Sequence, residues 1–313
     1  LSLVRGATPL VMALGAVALV LAILVPFVST GYLLAVTENA AIAMLFAASL
    51  HFIMGPGGMP SFGHAAWFGL GAYGAALAAA SGNLPMGVAL LIAIGVAAAA
   101  AALVGTFMVK LSGIYFAMLT FAFAEVVWAL AEQSTGLTGG DNGILNIWPD
   151  GWFASASGFY ALVLILSVGG VLVLRRVIFS PFGFALRATR DSAMRAASVG
   201  IPVQAVRHAG FAIAGAVAGL AGALFTYAKG SAFPTYISVE HSIDAMVIVL
   251  LGGVQTIAAP VVGALAYTGL YDYLQSATEL WQLLLGISII VLVLAFPRGI
   301  AGNAERWAER RRP

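Results

Sequence analysis

Long apolar runs alternate with short polar joints along this chain. The runs fall at about 9–28, 36–54, 62–80, 86–109, 113–131, 157–174, 208–228, 243–257, 259–277 and 281–297. PLVMALGAVALVLAILVPFV (9–28) and MGVALLIAIGVAAAAAALVGTFMV (86–109) contain no charged residue. Each is long enough to cross a hydrocarbon core of about 30 Å as a helix. The pattern predicts an all-α polytopic membrane protein of about ten transmembrane helices, forming one domain over residues 1–313. Segments 62–80 and 243–257 are glycine-rich or short, so each is either a span or a re-entrant stretch. The first run follows Arg5 like a signal peptide. It is longer than the usual apolar region of about 7–15 residues and is read as a span.

Composition supports the bilayer as solvent. Hydrophobic residues make up 62% of 313 positions, against roughly 45–50% in soluble chains, more than one soluble core can hide. With no cysteine in the sequence, disulfide frameworks and thiolate metal sites are excluded. The charge distribution orients the chain. With ten crossings and an inside N-terminus, 13 of the 14 Lys and Arg lie on the cytoplasmic side and only Lys229 outside, as lysine and arginine bias requires. Both termini are therefore expected in the cytoplasm. The largest outside segment, 132–156, is rich in glycine and polar residues. It is expected to be an ordered loop with turns, anchored by Trp148, Trp152 and Phe153.

Charge gathers in the cytoplasmic segment 175–207, around SPFGFALRATRDSAMRAASVGIP (180–202). Ser180 followed by Pro181 reads as a helix start, and Gly200 with Pro202 as a stop. Arg187, Asp191 and Arg195 stand at i, i+4 and i+8, which predicts a short amphipathic helix whose aspartate pairs with both arginines. Such a helix either lies on anionic headgroups or acts as a lever between a soluble partner and the spans.

Two glycine-rich breaks, GPGGMPSFGHAAWFGLG (55–71) and LGGVQTIAAPVVG (251–263), each carry a proline and a hydroxyl, Ser61 and Thr256. Irregular backbone at membrane depth has to be buried in protein or line a cavity, so both breaks are candidates for a solute route. Gly215 and Gly219 form a G-x-x-x-G pair suited to close helix packing. Neither Lys110 nor Lys229 stands in a phosphate-cradling G-x-x-x-x-G-K-[ST] motif, so ATP-driven work would need another polypeptide. The alternative class is a proton- or sodium-coupled carrier using Glu125 and His64, with Asp244 near the mouth of a span. Glu125 reads either as a buried acid hydrogen-bonded to a neighbouring span or as a group lining the route.

PFGFALRATRDSAMRAASVGI resembles the cytoplasmic coupling segment of LivM-type permease subunits in branched-chain amino acid ATP-binding-cassette importers. GGMPSFGHAAWFGLGAY (57–73), GIYFAMLTFAFAEVV (113–127), TGGDNGI (138–144), FAIAGAVAGLAGALF (211–225) and GGVQTIAAPVVGA (252–264) resemble that family's landmarks in the same order. The resemblance implies a bacterial inner-membrane, multi-pass, non-catalytic subunit. Its implied partners are two ATPase subunits, a homologous second permease and a periplasmic solute-binding protein. ATP and Mg would sit on the partners, with no cofactor or metal in this chain and no nucleic acid involved. ATPase coupling would fall to Phe182, Gly183, Leu186, Arg187, Arg190, Asp191, Arg195 and Gly200. Candidates for the route are Ser61, Phe62, His64, Thr120, Glu125 and Thr256, and for periplasmic docking Asp141, Asn142 and Trp148. The chain departs from the family at Ala193 and Ala197, where acids are common, and at Gln255 and Ala259, where glycines are usual.

Overall fold

The structure, a computed structural model, describes residues 31–303 apart from 83 and 297. The main helices are α1 (Gly31–Met54), α2 (Ala65–Gly82), α3 (Met86–Met108), α4 (Ile114–Gln133), α5 (Ala156–Ile178), α6 (Pro181–Asp191) and α7 (Ala193–Ser198). They continue as α8 (Val203–Lys229), α9 (Val239–Gly252), α10 (Ala259–Ala277) and α11 (Trp281–Ala295). The expected run at 9–28 lies outside the described residues. Each later run coincides with a helix, and among the described residues five helices (α1, α3, α4, α5 and α8) are long and apolar enough to cross a membrane. The run at 243–257 is shorter as a helix than its hydropathy predicts. It ends at Gly252, and the backbone reverses at Gly253, whose φ is +108°.

Small residues set the centre of the bundle. On α3 the buried positions include Ala89, Ala93, Ala97, Ala101 and Gly105, one every four residues, while Leu91, Leu103 and Phe107 point outward. That stripe receives α8. A Cβ on Gly215 would lie 2.4 Å from the Ala101 Cβ, and one on Gly219 would lie 2.3 Å from the Ala97 Cβ. The G-x-x-x-G pair thus packs within the chain, where close backbone approach maximises dispersion contact in a solvent that offers helices little hydrophobic drive. α8 also packs on α1 and α2, and α5 packs mainly on α1. A second, smaller apolar cluster joins α1 to α9, α10 and α11. There Tyr267 Oη donates to Asp244 Oδ1 at 2.6 Å and pins α10 to α9.

The two ends of the bundle differ. At one end, the 132–156 loop is ordered, as expected. Its β1 (Ile144–Leu145) pairs antiparallel with β2 (Ser231–Ala232), Ile144 opposite Ala232 and Leu145 opposite Ser231. Gly143 needs to be glycine, since its φ is +63° and a Cβ would stand 2.3 Å from the Ala232 carbonyl oxygen. Asp150 accepts from the Met86 N–H at 3.2 Å and so caps α3.

At the other, arginine-rich end, the single helix expected over 181–200 is two. Ser180 caps α6 and Pro181 occupies its first turn, as expected. The helix then breaks at Ser192 (φ −165°, ψ 107°), whose hydroxyl accepts from the Arg195 N–H and starts α7. This corrects the predicted charge ladder. Ser192 is a better cap than an interior residue, so Arg195 leaves the face that carries Arg187. Asp191 pairs instead with its neighbour Arg190, at 2.7 Å. Gly200 ends the segment at φ +86°, as a helix stop should.

Candidate functional site

Both glycine-rich breaks meet at the arginine-rich end of α1. His51 Nε2 lies 3.0 Å from the Val254 carbonyl oxygen, which ties the end of α1 to the second break. Arg190 Nη1 donates to the Gly55 carbonyl at 2.9 Å, while its Nε and Nη2 donate to Asp191 Oδ1 at 2.9 and 2.7 Å. Gly58 lets this arginine stem pass, for its φ is +65° and a Cβ there would stand 2.3 Å from Arg190 Cγ. A continuous polar path therefore runs from Asp191 through Arg190 and Gly55 to His51 and Val254.

Deeper in the bundle, two helices begin beside Phe46, which lies eight residues before the end of α1, about 12 Å along its axis. The His64 ring, just before α2, stacks on Phe46 at 5.6 Å, and the His241 ring in the first turn of α9 stacks on it at 5.3 Å. The Ala65 N–H donates to Ser242 Oγ at 2.9 Å, so the two helix starts touch directly. Ser49 Oγ donates to the Phe46 carbonyl at 2.6 Å and stands 2.8 Å from His64 Nε2. With the serine proton committed to that carbonyl, His64 Nε2 carries the ring hydrogen and Nδ1 is an acceptor. That Nδ1 is buried without a partner among the described residues, as are Ser61 Oγ, Thr226 Oγ1 and His241 Nε2. Phe68, Phe225 and Tyr236 close the apolar side of the cluster.

The structure separates the sequence-predicted route residues. Ser61, His64, Thr120 and Thr256 are buried and Phe62 half-buried. Thr120 Oγ1 accepts from the Phe62 N–H at 3.2 Å, and Thr256 Oγ1 donates to the Gly253 carbonyl at 3.0 Å. Those two hydroxyls hold the breaks in shape. Glu125 is half-buried on α4 and makes no side-chain hydrogen bond or ion pair among the described residues. This corrects its reading as an acid hydrogen-bonded to a neighbouring span. No hydrogen-bonded chain joins Glu125 to His64 among the described residues.

The predicted coupling residues divide by exposure. Phe182, Gly183, Leu186, Arg187 and Arg190 turn inward, with Gly210 of α8 against Leu186 and Phe182. Arg187 is 6% exposed, and its guanidinium stacks 4.4 Å from the Phe184 ring centre. Burial and the nearby Arg190 cation lower its affinity for its proton, and Asp191 opposes the effect. Asp191, Arg195 and Gly200 face outward, beside Met194 and Val199, which are 80% and 77% exposed. Met194 reads in the sequence as one of the apolar positions of the helix, while Val199 went unremarked, since a lone valine on a membrane protein carries no signal. At the sheet end Asp141, Asn142 and Trp148 are exposed, and the Trp148 ring covers Gly230. His241, Ser242 and Ser49 were also missed, for only the fold brings them to His64.

A helical bundle with several membrane-length apolar spans and two irregular segments joined at one end is that of an all-α polytopic membrane protein. The model of the family described as "Branched-chain amino acid transport system / permease component" matches residues 32–293, and the chain belongs to that family. It is 27% identical over 309 residues to the high-affinity branched-chain amino acid transport system permease protein LivM of Escherichia coli, covering 90% of this chain and 73% of the relative. It is 26% identical to the LivM protein of Salmonella typhimurium over the same shares. No solved structure matches. The chain is thus a multi-pass membrane permease subunit of the branched-chain amino acid ABC transporter class.

Proposed function

We propose that this subunit moves branched-chain amino acids, or similar small polar solutes, into the cytoplasm by alternating access. Two separate ATPase subunits, carrying ATP and Mg, drive the movement, and a homologous second permease completes the route. The protein sits in a bacterial inner membrane with its arginine-rich end and both termini in the cytoplasm. The observation that carries this reading is the path from Asp191 through Arg190 to Gly55 and Val254. A push on α6 reaches the first break through the Arg190 guanidinium and the second through His51 at the end of α1. Met194, Arg195 and Val199 form the outward knob suited to an ATPase groove. At the opposite end the β1–β2 pairing fuses the 132–156 and 229–242 loops into one surface for a solute-binding protein, with Asp141, Asn142 and Trp148 on it.

Between these ends, the cluster around Phe46 supports a place where solute passes. Buried polar atoms without partners are costly unless something polar visits them. His64 Nδ1, Ser61 Oγ and His241 Nε2 offer such contacts beside aromatic walls that suit an aliphatic side chain. A proton- or sodium-coupled mechanism through Glu125 and His64 finds less support, since the two are not linked. Uptake of labelled leucine into proteoliposomes holding the assembled transporter and its binding protein tests the reading. Uptake should require ATP on the ATPase side and ignore an imposed proton or sodium gradient. Gradient-driven uptake without ATP would overturn it.

A further inference from the structure

We infer that the arginine-rich end of α5 binds the phosphate of an anionic phospholipid from the adjacent leaflet. An open cleft of about 470 Å³ is lined by Leu172, Val173, Arg175, Arg176 and Phe179. Ile165, Leu172 and Val173 are 68%, 53% and 58% exposed and mark one outward stripe of α5, and Arg176 continues it at the helix end. The order along the stripe is that of a lipid, with hydrocarbon walls first and cations at the headgroup level. Arg175 and Arg176 make no side-chain hydrogen bond or ion pair with protein among the described residues. Guanidinium forks match phosphate oxygens in pairs.

A second observation points to the same ligand. Arg187 Nη1 and Nη2 are buried with no hydrogen-bond partner among the described residues, and the guanidinium lies 5.9 Å from the centre of the Phe179 ring that walls the cleft. Arg175 and Arg176 thus share the cleft with Phe179 while Arg187 stands over its ring, and Asp191 is already bonded to Arg190. An anionic headgroup neutralises this excess, and through Phe179 its presence bears on how α6 is held. The inference rests on the chain being a multi-pass membrane protein, not on which side faces the cytoplasm or on what it carries.

The test follows the melting temperature of the purified full chain in detergent during titration with phosphatidylglycerol, phosphatidylcholine or inorganic phosphate. Phosphatidylglycerol should raise it saturably, and the other two should not. In the double variant Arg175→Gln, Arg176→Gln the half-saturating phosphatidylglycerol concentration should rise about tenfold, the size expected from losing charge-assisted hydrogen bonds. Lys110→Gln with Arg195→Gln removes equal charge outside the cleft and should keep the wild-type response. If the glutamine variant does not fold, Leu172→Trp, which fills the cleft and spares both arginines, should show the same weakening. An unchanged response in the cleft variants, an equal loss in the control pair, or a full response to inorganic phosphate overturns the proposal.

Discussion

The two ends of this molecule are built by different physics. At the sheet end, backbone hydrogen bonds join loops far apart in sequence, with Ile144 and Leu145 paired to Ala232 and Ser231 and the Ile147 N–H donating to the Gly230 carbonyl at 3.0 Å. At the arginine-rich end single side chains make the joins: Arg190, laid across glycines that leave it room, reaches Gly55, His51 reaches Val254, and Arg207 donates to the Thr189 carbonyl. Ladders of backbone bonds fix geometry; a single charge-assisted contact against glycine-rich backbone can be remade elsewhere. Under the proposed function, the sheet end is suited to docking and the arginine-rich end to motion.

This contrast predicts graded responses. The largest is at the first break. A Cβ on Gly63 would lie 1.8 Å from the Thr120 carbonyl oxygen and 2.9 Å from the Ala124 Cβ. Gly63→Ala should cost about 3 kcal/mol or more, at the upper end of overpacking penalties, read as a lower unfolding midpoint in detergent. Gly136→Ala, where nothing crowds the new atom, should stay within about 0.5 kcal/mol of wild type. Equal effects at the two glycines would remove the claim that the break is tightly packed. At the sheet end, Gly143→Ala forces a left-handed residue against Ala232 and should cost about 1–3 kcal/mol. Its signature is weaker affinity for the binding protein, with ATP hydrolysis by the assembled transporter in its absence unchanged. Asp150→Asn is the smallest effect, about 0.5 kcal/mol from weaker capping of α3, measured by the same unfolding assay.

Much of this was legible in the sequence, and the failures are physical. Apolar runs predicted helices because a bilayer leaves few alternatives for satisfying backbone groups. The cap at Ser180 and the stop at Gly200 were legible because capping is local. Ser192 misled the reading of Arg187, Asp191 and Arg195, since an i, i+4 pattern assumes an unbroken helix and a second serine cap cancels it. The end of α9 was hidden for a different reason. Val239–Gly252 is apolar enough to merge with the residues leading into α10, and only Gly253 with its positive φ separates them. The cluster of His64, His241, Ser49 and Ser242 was beyond any local reading, because its members are brought together from separate helices.

The central claim is that Arg190 couples α6 to the helix breaks. Its most direct test compares Arg190→Ala with wild type in proteoliposomes carrying the ATPase subunits, second permease and binding protein. Both solute uptake and ATP hydrolysis are measured, with subunit content checked. Loss of a charge-assisted hydrogen bond, about 1.5–3 kcal/mol, predicts a fall of about tenfold or more in solute moved per ATP, while hydrolysis continues. An unchanged ratio in a fully assembled Arg190→Ala transporter would contradict the account.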